Sequence, residues 1–271
     1  MKEELIISGR MNPGIDPYLN IWHWHIPVYL FLGGLAAGIL FFAALYTIMG
    51  REKEMPTAVK WATFLVPGAL VFGLMALFFD LKHQLYFWQL YTTVRFESPM
   101  SWGAWVLVLI YPLMVLQILS TLRRGYPTLA SLLEKLPGGS WLLDLCEGYR
   151  RPIAWLVIPL AVGLGIYTGV LLSAFSARPF WNSGVLGPLF LVSGLSTAAA
   201  LVALISREKT ERALFTRIDL ALIAAEIALV GLFLISLATG SAQHIEALQA
   251  VTGGPYTMVF WVLFVGIGLV I

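Results

Sequence analysis

The residues able to do chemistry gather at the ends of apolar runs. Trp22, His23, Trp24, His25 and Tyr29 begin the first run, and His25 and Tyr29 are four apart, on one face of a helix. Asp80 and His83 close the second run. The third opens at Glu97-Ser98-Pro99-Met100-Ser101-Trp102-Gly103, and the fourth ends through Tyr167, Ser173, Ser176, Arg178, Trp181 and Asn182. Tyrosine and histidine donate hydrogen bonds to ketone oxygens, and Asp or His beyond them can relay protons. Such groups beside an apolar slot suit a quinone, which needs a donor to each carbonyl and a path for protons. Each also has a plainer role. Trp22 and Trp24 fit an interfacial belt, His23 the headgroup layer, and Asp80 a solvated helix end. The Tyr167 hydroxyl requires some partner, structural or bound.

Glu226 lies eight or nine residues inside the sixth run, roughly 13 Å along a helix. A carboxylate at that depth costs several kcal/mol unless it is protonated, paired or wetted. Asp219 precedes it by seven residues, two turns away on the same face. The two form either a proton route or a buried hydrogen-bonded acid with a neighbour. His244 and Glu246, in the loop beyond, read as solvated.

The elements that must position these groups are membrane spans. Of 271 residues, 59% are hydrophobic and only 12% charged, where a soluble domain carries about 25% charged. A span needs roughly 20 mostly apolar residues. Seven segments fit or nearly fit, at about 26–49, 60–80, 102–121, 152–174, 185–206, 217–239 and 256 onward. The seventh is shorter and stops at Ile271, so continuation of the chain beyond that residue is expected. Residues 1–25 are a polar tail without the marks of a cleaved signal. Lys and Arg number five on the N-terminal side of these spans and twelve on the other. Basic residues collect on the cytoplasmic face, so the N-terminus is expected outside. The long loop 122–151 then lies inside. Leu129, Leu132, Leu133 and Leu136 are at helical spacing there, as for an interfacial helix.

Composition also excludes several functions. The 17 Lys and Arg are scattered, so no nucleic-acid surface forms. Cys146 is the single cysteine, which rules out a disulfide framework, a cysteine zinc site and iron–sulfur ligation by this chain. The four histidines fall near one face, so a haem between His25 and His83 is a poor fit. Gly34/Gly38 and Gly165/Gly169 are small-xxx-small steps, which either let helices close up or leave room for a planar ligand beside Tyr167. A secondary transporter would show inverted repeats and helices broken at mid-membrane. Pro67 and Pro159 interrupt spans, but no matching halves are visible. A purely structural anchor would make the polar end residues dispensable.

Several strings together resemble the NrfD/PsrC-type membrane subunits of respiratory oxidoreductase complexes. They are Trp22-His23-Trp24 with Gly33-Gly34-Leu35-Ala36-Ala37-Gly38, Asp80-Leu81-Lys82-His83, and Ser98-Pro99-Met100-Ser101-Trp102-Gly103-Ala104-Trp105. Tyr167-Thr168-Gly169, Arg178-Pro179-Phe180-Trp181-Asn182 and Ser193-Gly194-Leu195 continue the series in order. The resemblance implies an all-α polytopic protein with eight spans in two four-helix bundles. The first bundle would occupy 26–174 and the second, incomplete here, 185–271. It implies a quinone, menaquinone or ubiquinone, bound at the outer leaflet of the first bundle in the cytoplasmic membrane. A four-cluster iron–sulfur subunit would dock on that face and pass electrons to or from a catalytic subunit, often a molybdopterin enzyme. Tyr167 matches a quinone-contacting tyrosine of the family. At the first span Tyr29 stands where the family has a histidine, with His25 one turn earlier, so either is the second donor. Asp80 and His83 are then expected to exchange protons with the outside, and Glu226 with Asp219 to offer a route from inside, with proton translocation as an added prospect. Arg178, Asn182 and Trp102 would shape the mouth of the site.

Overall fold

The computed structural model describes residues 24–81, 83–174 and 178–270, and every regular element among them is helical. Trp22, His23, Lys82 and Ser176 lie outside the described residues, as does the tail up to residue 23. Among the described residues, six helices are long and apolar enough to cross a membrane. They are α1 (His25–Ile48), the composite span Thr57–Asp80 ending in α2 (Leu65–Asp80), α4 (Pro99–Gly125), α7 (Arg150–Ser173), α8 (Leu186–Ile205) and α9 (Lys209–Ala238). Shorter helices are α3 (Gln89–Thr92), α5 (Pro127–Glu134), α6 (Gly139–Gly148) and α10 (Ala242–Thr252). The seventh expected span begins as an apolar π-helical stretch, Val259–Val270.

Three element boundaries differ from the apolar runs for physical reasons. The second span begins with a π turn (Thr57–Trp61) and a 3-10 turn (Ala62–Phe64) before becoming α-helical. Pro67 lacks the N–H that would bond back into this stretch, and Thr63 Oγ1 of the 3-10 turn donates to the Val59 carbonyl of the π turn at 2.9 Å. Helix α4 starts at Pro99, the position where a missing N–H costs nothing, and ends in Arg123 and Arg124, whose stems extend it past the apolar part. Helix α9 starts eight residues before its apolar run because Glu211 is wholly buried there. Its carboxylate accepts from Thr57 N at 3.2 Å, Ala58 N at 2.9 Å and Ser206 Oγ at 2.8 Å, capping the second span.

Loop 122–151 holds two short helices rather than one. They turn on Gly138, whose φ of +85° only glycine adopts without strain. Arg123 pairs with Glu134 at 2.8 Å, Asp144 at 2.5 Å and Glu147 at 3.1 Å, tying both helices to the end of α4. Leu132, Leu136 and Trp141 remain exposed on the outward side.

Helix α1 is the hub. It packs against α2, α7 and α8, while α4 packs on α7 and α8 on α9. The main core, with Ile39, Leu40, Val59, Ile110, Leu164 and Phe215, lies among these helices. The glycine steps are sites of close approach. A Cβ on Gly38 would collide with the Gly194 carbonyl and stand 2.6 Å from Ala198 Cβ; one on Gly169 would overlap the Leu186 backbone. Their space is therefore filled by α8, not by a ligand. Gly38→Val should separate α1 from α8 at a cost of about 1–3 kcal/mol, the usual range for overpacking. The expected result is a lower thermal unfolding midpoint of the detergent-solubilised protein. Gly33→Ala, where nothing lies within 4 Å of the added carbon, should leave that midpoint unchanged.

Candidate functional site

Four tyrosines from four elements approach one another among the first four spans, Tyr29, Tyr91 and Tyr167 toward the end where α1 begins and Tyr111 midway along α4. Tyr29 of α1, Tyr91 of α3, Tyr111 of α4 and Tyr167 of α7 stand within electrostatic reach of one another. Tyr29 is 4% exposed. Its hydroxyl is buried against that of Tyr167, near enough for the two to interact but short of a well-formed hydrogen bond. Burial raises the Tyr91 phenol above its ordinary value, so at neutral pH it stays a donor.

One glycine makes this arrangement sterically accessible. The Tyr167 ring occupies the space over Gly103, where a Cβ would overlap the phenol carbons. A Cβ added at Gly73 of α2 would stand 3.5 Å from Tyr29 Cδ2, an ordinary contact. The string at 98–103 is thus the seat of the Tyr167 side chain.

A cavity of about 290 Å³ lies between α2 and α4, with Leu74, Met75, Phe78 and Leu90 as walls and Tyr91 and Tyr111 as its polar groups. Leu81, Phe87 and Leu90 also line a second space of about 530 Å³, which carries His83, Arg95 and Ser101. Tyr91 and Tyr111 therefore face an apolar slot, which adjoins a polar antechamber at the end of the bundle where α1 begins.

His25 and Asp80 form a pair of their own. His25 Nδ1 is 3.7 Å from Asp80 Oδ1, and both side chains are largely buried. His25 also stacks on Trp24 with ring centroids 4.1 Å apart. His25 and Tyr29, one turn apart, thus face different neighbours. His83 is exposed on the rim of the antechamber.

The remaining expected residues lie elsewhere. Trp102 donates from Nε1 to the Phe96 carbonyl at 2.8 Å, and Ser101 Oγ accepts from Arg95 N at 3.1 Å, so both hold the loop before α4. Arg178 lines a different cleft, with Gln243 and Glu246 beneath α10. The Asn182 backbone N–H donates to the Arg178 and Pro179 carbonyls, at 3.1 and 3.2 Å, closing the turn into α8. Glu226 and Asp219 lie on the far side of α8 from the tyrosines. Ser196 Oγ donates to Asp219 Oδ1 at 2.6 Å, and Ser193 stands beside Glu226. His244 serves its own helix, its Nδ1 lying 2.7 Å from Ser241 Oγ in a capping box.

Reasoning from sequence missed Tyr91, Tyr111 and Glu211. A tyrosine midway along an apolar run was the available signal for Tyr111, since its hydroxyl must be satisfied somewhere. Glu211 stands in the charged string Arg207-Glu208-Lys209-Thr210-Glu211-Arg212, which looks like an ordinary solvated face.

Comparison with known proteins assigns the chain to a family. The family model described as "Polysulphide reductase, NrfD" matches residues 15–271. The protein named "Protein NrfD" in Escherichia coli is 34% identical, over 93% of this chain and 82% of its own length. A polysulfide reductase chain of Wolinella succinogenes is 30% identical, over 96% of this chain and 84% of its own length. A selenate reductase subunit of Mesobacillus selenatarsenatis is 25% identical, over 97% of this chain and 68% of its own. With the family model matched over nearly all of its length, and six helices fit to cross a bilayer, this chain is a multi-pass membrane protein of the polysulphide reductase NrfD family.

Proposed function

We propose that the chain is the membrane subunit of a reductase-type complex and that it binds a quinone or quinol among the four tyrosines. On this reading the end of the bundle where α1 begins faces the outside of the cytoplasmic membrane. Electrons pass there between the quinone pool and an iron–sulfur partner, which connects to a catalytic subunit of molybdopterin type. The observation that carries the reading is the buried pair of Tyr29 and Tyr167 hydroxyls, which can use only one of their two protons on each other. The remaining buried donor costs about 1–3 kcal/mol while it lacks an acceptor, and a ketone oxygen beside the pair would remove that cost. The relatives named as parts of reductases support the redox setting.

The fit to a quinone rests on the donor set and on the apolar slot between α2 and α4. Tyr29 and Tyr167 would hold the two carbonyl oxygens, with Tyr91 and Tyr111 along the wall of the slot. A bound quinol supplies two electrons and two protons. His25 and Asp80 are placed to take a proton toward the antechamber, where His83 is exposed to exchange it. Trp102 and Ser101 hold the loop at 93–96 beside the antechamber. Arg178 and Asn182, on the neighbouring surface, belong to the partner's dock.

Tyr29→Phe keeps the ring on Gly73 and removes only the hydroxyl. Quinol-dependent turnover of the purified complex should show a severalfold higher KM with the complex intact. An unchanged KM would contradict the assignment. Glu226, Ser193, Ser196 and Asp219 offer a separate polar ladder along α8 and α9 for protons from the other side of the membrane. Glu226→Gln should lower any proton translocation measured with the complex in vesicles while leaving inhibitor affinity at the tyrosines unchanged. Unaltered proton movement would remove the ladder from the account.

A further inference from the structure

The cavity around Glu226, at one end of the polar ladder proposed above, has the make-up of a binding site distinct from the tyrosine cluster. It encloses about 340 Å³ between α8, α9 and the Val259–Val270 segment. Phe190, Phe233, Phe260 and Phe264 line it, and Glu226 with Ser193 supply its carboxyl and hydroxyl. Phe180, Trp181, Phe260 and Phe264 also line a cleft of about 780 Å³ that reaches Arg178, Gln243 and Glu246 at the N-terminal end. Ring centroids are 5.3 Å apart for Phe180 and Phe233, 5.3 Å for Phe180 and Trp181, and 5.5 Å for Phe260 and Phe264. These spacings offer ring faces and edges to a further aromatic group.

Two properties narrow the ligand. Glu226 is 4% exposed and lines an otherwise apolar space. An alkyl chain alone would leave that carboxyl facing hydrocarbon, which is costly. A ring bearing a hydroxyl or carbonyl oxygen would meet Glu226 and Ser193 instead and stack on the phenylalanines. The cavity is also separate from the tyrosines. Gly194 meets α1 at Gly34, whereas Ser193, one residue away on α8, lines the cavity.

We propose that this cavity binds a second aromatic-headed amphiphile, with the ring oxygen at Glu226 and Ser193 and the apolar tail leaving through the cleft between Phe180 and Phe264. A pool quinone and a free quinolone-type small molecule share that chemistry.

The test is photolabelling of the purified complex with an azido-naphthoquinone, followed by mapping of the labelled peptides. Two labelled regions are expected, one around Tyr111 and Tyr167 and one around Phe190, Val230 and Phe264. Val230→Trp, which fills the cavity, should abolish the second label and spare the first. Ser193→Ala, a smaller change, should weaken the second label severalfold. Tyr167→Phe should affect only the first, so failure here is distinguishable from failure of the tyrosine site. Competition by 2-heptyl-4-hydroxyquinoline N-oxide is expected at both regions. Quinone co-purifying in excess of one equivalent would identify the pool as the source; labelling without it would identify an exchangeable small molecule. Label confined to the tyrosine region would overturn the proposal. So would a second label displaced by phospholipid but not by the N-oxide, which would mark an acyl-chain site.

Discussion

Gly103→Leu is expected to lower quinol-dependent turnover by about 100-fold while the complex still assembles. The Tyr167 ring lies where the Gly103 Cβ would be, so any side chain at 103 must push the phenol aside. The ring cannot yield without moving its hydroxyl away from Tyr29, and a displacement of about 1 Å in a reacting geometry costs about 100-fold. Global stability should suffer less. Gly103 is near the start of α4, and the core residues Leu107, Ile110 and Met114 lie one or more turns further along. Turnover assays on membranes, with thermal unfolding of the solubilised complex as the control, separate the two effects. Wild-type turnover in Gly103→Leu would mean that the position of Tyr167 has no bearing on the reaction.

Much of the fold was legible as apolar runs. Five spans begin or end within a few residues of the runs that announced them. The sixth was shortened because Glu211 sits among charges, and a carboxylate that caps another helix looks no different in sequence from a solvated one. Gly34 and Gly38 announced a close approach of helices, but spacing along one chain does not name the partner; the structure supplies Gly194. The seventh segment is apolar enough to predict a span, yet its π-helical backbone is not written in hydropathy. The site was legible in part. Tyr167 could be singled out by its distance from the string at 178–182, and Tyr29 by its place on the first span. What separation in sequence does not reveal is lateral position: Arg178 and Asn182, close to Tyr167 in sequence, lie by the other cleft, whereas Tyr111, 56 residues away by subtraction, lies beside it.

Tyr167→Phe should weaken binding at the site about tenfold or more, equivalent to about 1.4 kcal/mol. The substitution keeps the ring that fills the space over Gly103, so packing is retained. It removes a hydroxyl that neighbours Tyr29, in a setting where water cannot easily replace it. A hydrogen bond from a buried donor to a ligand carbonyl falls in that energy range. Because Tyr29 remains, some binding should persist, and the double variant Tyr29→Phe/Tyr167→Phe should lose more than either alone.

The most direct measurement is therefore a fluorescence titration of the purified complex with 2-heptyl-4-hydroxyquinoline N-oxide, wild type against Tyr167→Phe, with the Val230→Trp background used to isolate the tyrosine site. Saturable binding in the wild type, weakened about tenfold in the variant, is the predicted result. Equal affinity in the two proteins, or no binding to the wild type, would contradict a quinone site at the tyrosines.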